Sequence, residues 1–247
     1  LKTLNETEVY KREGRNALSA LAQTQINALR NIHTDWNDIL FRHAMNQEYN
    51  ASIAGGSNRS GYYTSVGYYD EQGNVKGVDN KRFNMTLKAD YRINKILKLG
   101  ASVYANQRKQ NSYLTDTNGF TNPVYYSRLA NPYFLPFVEG KYHYDVNVQG
   151  KEDSSLDFNI FEERENTSHK RTDRSLMAIF DGELQFTPDL KLTSQFGLQY
   201  DNYSLEKYAG ENSFAMRKEH FNATYAYKDG KRSYLPEGGM HKTTSYN

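Results

Sequence analysis

The densest set of side chains able to recognise a ligand lies between Tyr113 and Tyr144. Tyr113, Phe120, Tyr125, Tyr126, Tyr133, Phe134, Phe137, Tyr142 and Tyr144 fall within it, with Asn122 and Arg128 among them. Flat aromatic faces suit sugar rings or peptides, and amide and guanidinium groups add directed hydrogen bonds. Tyr113, Tyr125, Tyr126, Arg128 and Tyr133 are therefore the candidate substrate-binding residues. The plainer reading of the same stretch is a loop that packs on itself. Bond-making chemistry has less to stand on. The 6 histidines are scattered, with neither a His-Glu-x-x-His order nor paired-ligand spacing. With 0 Cys, disulfides and thiolate sites are excluded. Gly55-Gly56-Ser57 reads as a turn, and Glu162-Glu163-Arg164-Glu165 as a solvated loop. No catalytic residue, metal or cofactor is expected.

The elements that must position these residues are mostly strands. The 247 residues hold 21 Tyr, 12 Phe and 1 Trp, too many aromatics for a disordered chain despite a hydrophobic fraction of 37%. From Arg82 to Ile93 the pattern has period two. Phe83, Met85, Leu87, Ala89, Tyr91 and Ile93 alternate with Arg82, Asn84, Thr86, Lys88, Asp90 and Arg92. Leu97–Gln107 and Leu190–Tyr203 repeat the pattern, and Gln47–Gly55, Gly61–Asp70 and Arg174–Thr187 carry weaker copies. All 5 Pro fall outside these six strands, as ladder bonding requires. Ahead of them, Leu18, Leu21, Ala22, Ile26 and Leu29 recur at helical steps, with Asn5 or Thr7 as the cap. A second short helix starts at Thr34 or Asp35 and carries Trp36, Ile39 and Leu40 on one side.

Connection lengths alternate. Gly56–Ser60, Asn94–Ile96 and Pro188–Asp189 are short, whereas Glu71–Lys81, Arg108–Asp173 and the segment after Tyr203 are long. The chain therefore divides into a helical and loop segment at 1–46, four strands over 47–107, a long loop over 108–173, two strands over 174–203 and a further loop over 204–247. Such a meander, with short turns on one edge and long loops on the other, is the pattern of a transmembrane barrel. The fold class expected is all-β, an antiparallel meander forming part of a large transmembrane barrel, with a short helical N-terminal loop. Six strands are fewer than the roughly eight that a membrane barrel needs, so the chain reads as a piece of a longer one. A formal charge of +2 gives no pull toward nucleic acid. The alternatives are a soluble all-β glycan-binding module, whose apolar faces would interdigitate in a core, and an adhesin-type surface protein. Met85, Leu87, Leu99, Val103, Phe180 and Leu198 decide between them, since a barrel turns them outward.

Several stretches then resemble the SusC/RagA family of TonB-linked outer-membrane transporters of Bacteroidetes. They are Thr34-Asp35-Trp36-Asn37-Asp38-Ile39-Leu40-Phe41-Arg42, Asn50-Ala51-Ser52-Ile53-Ala54-Gly55-Gly56-Ser57, Tyr62-Tyr63-Thr64-Ser65-Val66-Gly67-Tyr68-Tyr69-Asp70-Glu71-Gln72-Gly73, Lys81-Arg82-Phe83 and Leu97-Lys98-Leu99-Gly100. The resemblance is dense from Thr34 to Tyr104 and rests on strand pattern beyond Arg108. It implies a twenty-two-stranded barrel in the bacterial outer membrane that imports oligosaccharides or peptides. It also implies a SusD-like lipoprotein lid, contact with lipid, and energy from TonB through a part of the protein outside this chain. On that scheme 1–46, 108–173 and 204–247 are extracellular loops.

Overall fold

A computed structural model describes residues 6–115, 119–145, 158–216 and 239–246. Short helices come first: α1 (Thr7–Glu13), α2 (Ala20–Leu29) and α3 (Trp36–Leu40). Four strands follow, β1 (Asn46–Gly56), β2 (Ser60–Gln72), β3 (Asp79–Arg92) and β4 (Leu97–Ser112). The long loop holds α4 (Pro123–Leu129), a small ribbon of β5 (Phe137–Val138) and β6 (Lys141–Tyr142), and α5 (Ile160–Asn166). The chain then returns through β7 (Thr167–Thr187), β8 (Leu190–Ala209) and β9 (Gly239–Tyr246). Seven strands form one antiparallel sheet in the order β1-β2-β3-β4-β7-β8-β9.

The ladder register puts the same parity on the same face throughout. One row reads Ile53, Thr64, Leu87, Val103, Ala178, Leu198 across six strands. Its neighbour in each strand, one residue away and on the opposite face, reads Ser52, Ser65, Thr86, Tyr104, Met177, Gln199. A one-residue slip anywhere would exchange the two faces, so this agreement across five pairings is what the alternation in the sequence encodes. Among the described residues no second layer covers the apolar face. Ile53 is 61% exposed, Phe196 58% and Leu198 55%. Leu87, Leu99 and Phe180 are also exposed, and Met85 and Val103 are half-exposed. Among the described residues these side chains therefore do not form the interdigitated core that a soluble glycan-binding sandwich requires.

The apolar face has the height of a bilayer core. From Phe83 to Tyr91 it runs about 27 Å along the strand, or about 21 Å at a tilt of ~40°, close to the ~25 Å band of outer-membrane barrels. Tyr49, Tyr68 and Phe83 are register partners and close this band on the long-loop side, as an interfacial girdle does. Tyr62 and Tyr200 stand one row inside the ends of the band.

Several strands run further than their apolar alternation. β4 continues to Ser112, β7 begins at Thr167 rather than Arg174, and β8 reaches Ala209 rather than Tyr203. A strand of 20 residues such as β8 spans about 68 Å, well over twice the hydrocarbon layer. Beyond the girdle water wets both faces, so the ladder persists while the period-two signal fades. The segment after Tyr203, expected as loop, also supplies β9, which pairs with the outer part of β8 from Asn202 to Ala209.

The single N-terminal helix expected around Leu18–Leu29 is two. Gly14, at φ 77°, breaks the chain between them, and Ser19 rather than Asn5 or Thr7 caps α2, its side chain accepting from the Ala22 N–H. The turns at the other edge are tight. The Asn94 side chain accepts the backbone N–H groups of Ile96 and Leu97, both at 2.8 Å, which closes β3 onto β4 without help from the core.

If the apolar face meets acyl chains, charge placed there is costly and charge on the opposite face is not. In the intact protein, Leu87→Arg is expected to lower barrel stability by about 2–4 kcal/mol and the adjacent Thr86→Arg by less than ~1 kcal/mol. Urea unfolding in lipid vesicles reads the difference. Equal losses at the two positions would contradict the assignment of faces.

Candidate functional site

The chain's buried core lies at the long-loop end of the sheet. Trp36, Leu40, Tyr126, Phe158, Ile160 and Phe214 form it, with Ile39, Phe41, Ala130, Phe134 and Phe161 packed around them. Tyr126 meets Trp36 edge-on at 5.1 Å and Phe158 at 5.2 Å, and Phe158 meets Phe214 at 5.4 Å. These are favourable edge-to-face contacts of rings whose quadrupoles repel face to face. Polar groups seal the cluster. The Trp36 indole N–H donates to the Asn131 carbonyl at 3.1 Å, and the Thr34 hydroxyl to that of Phe134 at 2.7 Å. The Asn159 amide donates to the carbonyls of Pro136 and His143, while its oxygen accepts the Phe161 N–H and caps α5.

The Thr-Asp-Trp to Arg stretch thus has a structural job. Asp35 caps α3 by accepting from Asn37 and Asp38. Trp36 enters the core. Arg42 closes the β2–β3 loop by donating to the carbonyls of Gly73 and Val78 at 3.1 and 3.2 Å. The acidic stretch Glu162 to Glu165, expected as a solvated loop, forms part of α5 instead. Glu163 is buried and accepts the Phe214 N–H, while Arg164 reaches back to the Lys76 carbonyl at 2.7 Å. Pairing with these internal partners, not water, is what holds the charges there.

The five candidate residues separate accordingly. Tyr126 is fully buried, so its ring builds the core and offers no face to a ligand. Tyr113 is half-buried beneath the Arg164 guanidinium, 4.9 Å from its ring centre, and against Gly77. Gly77 sits at φ +91°, and a Cβ there would come within 2.6 Å of the Tyr113 hydroxyl. Tyr113 is therefore a wedge between the β2–β3 loop and α5. Tyr125 and Tyr133 are each 50% exposed, and Arg128 is exposed. Tyr125 and Arg128 lie three residues apart on α4, hence on one face, opposite Tyr126. Tyr133 occupies the turn after α4, held by its N–H to the Asn131 side chain. Val124, Leu129, Leu135, Phe137 and Val138 are exposed beside them in sequence. Placement of Phe120's side chain lies outside the described residues.

The polar face of the sheet adds residues that periodicity alone did not single out. Arg82 lies over Tyr69 at 5.3 Å, Lys88 over Tyr104 at 5.5 Å and Arg171 over Tyr203 at 5.1 Å, each pair bridging neighbouring strands. Near the short turns Lys98 pairs with Asp90 and Lys191 with Glu183, both at 3.1 Å. The sequence signal for these contacts is the charge on the polar positions of each alternation; the cross-strand partner needs the register.

Burial pushes the Tyr126 phenol well above its ordinary range, with the nearby Asp145 charge adding to it. The Tyr142 phenol donates to the Glu165 carboxylate and is pushed up to about 12, mainly by that hydrogen bond. No group of three or more metal-ligating side chains occurs among the described residues.

No family model matches the chain. It is 22% identical over 198 residues to the TonB-dependent receptor P39 of Formosa agariphila, covering 80% of this chain and 18% of that protein. To the TonB-dependent receptor P3 of the same organism it is 23% identical over 202 residues, covering 80% and 20%. Among solved structures it is similar to the RagAB peptide transporter, with a TM-score of 0.57 at 21% identity over 74% of this chain and 20% of that one. The open-open state of the RagAB peptide importer gives a TM-score of 0.58 at 21% identity. In sequence and in fold the chain resembles a segment of the outer-membrane β-barrel of TonB-dependent receptors and of RagAB. It spans about a fifth of the length of the curated relatives it matches. Among the described residues the sheet is open, with β1 and β9 at its outer edges, as a segment of a barrel is, since only closure satisfies every backbone group in lipid. The relatives are receptors and transporters, in keeping with a non-enzymatic role for SusC/RagA-like chains.

Three substitutions test the loop core. Tyr126→Ala in the intact protein is expected to cost about 3–5 kcal/mol locally, read as protease cleavage within residues 113–166. Tyr126→Phe removes a buried hydroxyl that has no hydrogen-bond partner among the described residues, and is expected to cost nothing. Tyr142, with a folded-state pKa above its unfolded value, contributes stability below pH ~10 that is lost as pH rises through about 12. In difference absorbance, Tyr142→Phe should remove a phenolate transition near 12; loss of one near 10 would refute the Glu165 contact.

Proposed function

We propose that this chain is part of the barrel and extracellular loops of a TonB-dependent importer that brings oligosaccharides or peptides across the outer membrane. TonB supplies the energy through a part of the protein outside this chain, and a SusD-like lipoprotein closes the entrance. The observation that carries the reading is the pairing of two features in one sheet. Its outward face is apolar over bilayer height, and its inward face is lined with Lys, Arg, Asp, Asn and Tyr that water can reach. A polar wall of this kind passes hydrophilic cargo and has no use in a packed core.

The long-loop ends stand outside the cell in this reading, and residues 1–46, 108–173 and 204–247 lie largely on that side. Tyr125, Arg128 and Tyr133 present the exposed aromatic and cationic surface that meets substrate or lid. Tyr113 and Tyr126 act beneath it as supports. The edge-to-face cluster of Trp36, Tyr126 and Phe158 holds that surface at a fixed place, which reduces the ordering cost of binding.

Labelled oligosaccharide and peptide mixtures offered to cells with and without the intact protein test the reading. Uptake of one class is expected only when both the protein and TonB are present. Tyr125→Ala with Arg128→Ala should lower its apparent affinity about 5- to 30-fold per residue, if each contributes about 1–2 kcal/mol. Uptake that persists without TonB would contradict the proposal.

A further inference from the structure

Just beyond the girdle, the lipid-side face of the sheet becomes basic. Lys81 and Lys109 are direct register partners on β3 and β4. Lys109 pairs in turn with Thr172 of β7, which sets Lys170 and Arg174 at its two diagonals. Direct partners stand about 5 Å apart at Cβ and diagonal ones about 7–8 Å, so four cations surround one point. All four are exposed. They line a groove of about 600 Å³ with Arg42, whose Nε and one Nη donate to the Gly73 and Val78 carbonyls. The acids on this face are already engaged. Asp70 pairs with Lys81 at 3.5 Å, Asp79 accepts the Asn111 amide at 3.0 Å, and Glu206, although opposite Lys170, is held by Lys242 at 2.9 Å. Lys109, Lys170 and Arg174 have no ion pair or hydrogen bond from their side chains among the described residues. Like charges placed opposite one another destabilise a sheet unless an anion joins them.

The height of the cluster says which anion. Arg174 shares the register row of Phe83 at the edge of the apolar band, and Lys81 and Lys109 stand two residues further out. That step is about 7 Å along the strand and about 5 Å along the membrane normal, within the headgroup layer. The parity is that of Leu87 and Val103, so these side chains point away from the lumen and its cargo. We propose that the cluster of Lys81, Lys109, Lys170 and Arg174 binds the phosphate groups of lipid headgroups in the leaflet on the long-loop side. The proposal rests on the membrane reading of the sheet and names the lipid chemistry that this face selects.

The intact protein, assembled in phosphatidylcholine nanodiscs doped with bis-phosphorylated lipid A, tests it by native mass spectrometry. The wild type should retain the phosphorylated lipid, and millimolar inorganic phosphate should not displace it. The triple variant Lys109→Gln, Lys170→Gln, Arg174→Gln should retain it about a hundredfold less, since each charge near a membrane surface contributes roughly fivefold. Lys95→Gln, in the turn at the opposite edge, removes a charge and should change nothing. Heat-modifiable mobility establishes insertion of each variant. Undiminished retention by an inserted triple variant, equal retention of dephosphorylated lipid A, or displacement by inorganic phosphate would each overturn the lipid site. A wild type that inserts but keeps no phosphorylated lipid overturns the site alone, while one that fails to insert overturns the membrane reading beneath it.

Discussion

Backbone polarity in an apolar medium is the constraint on which the rest of this structure depends. A strand crossing lipid must give every N–H and C=O to a neighbour, because no water is there to take them. The sheet meets this with antiparallel ladders, 11 register partners between β1 and β2 and a longer run between β7 and β8 whose single register shift, between Gln185 and Thr187, lies beside the short turn. Once the ladders fix strand pairing, side-chain parity follows, and two faces with opposite solvents become possible. The apolar rows, the polar wall and the girdle are consequences of that one requirement. So is the open edge at either side of the sheet, which has to be met by further strands.

The second tier of stability is separate and sits in water. Above the girdle the chain folds its loops around Trp36, Tyr126 and Phe158, using ordinary burial rather than lipid exposure. Asp35, Arg42, Asn159 and Arg164 tie backbone carbonyls or amides that irregular segments would otherwise leave unpaired. The division of labour is physical: strands set where the wall stands, and the loop core sets where the exposed Tyr125, Arg128 and Tyr133 are held. The same sheet therefore carries an apolar outside with no core beneath it and a dry core with no strand alternation.

How much was legible in the sequence follows from which physics leaves a local trace. Lipid on one side and water on the other imposes period two, so Phe83 through Tyr91 and Leu190 through Tyr200 announced their strands directly. Beyond Gln107, before Arg174 and after Tyr203 both faces are wet and the trace vanishes, which hides the end of β4, the outer third of β7 and of β8, and all of β9. Asp35 was readable as a cap because capping is local. Tyr125 and Tyr126 are adjacent and of one type, yet a helix turns one outward and packs the other against Trp36. Which is which depends on contacts more than 80 residues apart. The same holds for Glu163, whose burial depends on Phe214, and for the cations around Lys109, brought together only by register.

Cysteine accessibility is the most direct measurement of the central claim, helped by the 0 Cys of this chain. Single cysteines would replace Leu87, Val103 and Leu198 on one face, and Thr86, Tyr104 and Gln199 on the other, in the intact barrel in its membrane. The account predicts that a charged maleimide labels the second set and leaves the first unlabelled until detergent is added. Labelling of both sets alike, or of the first in preference to the second, would contradict it.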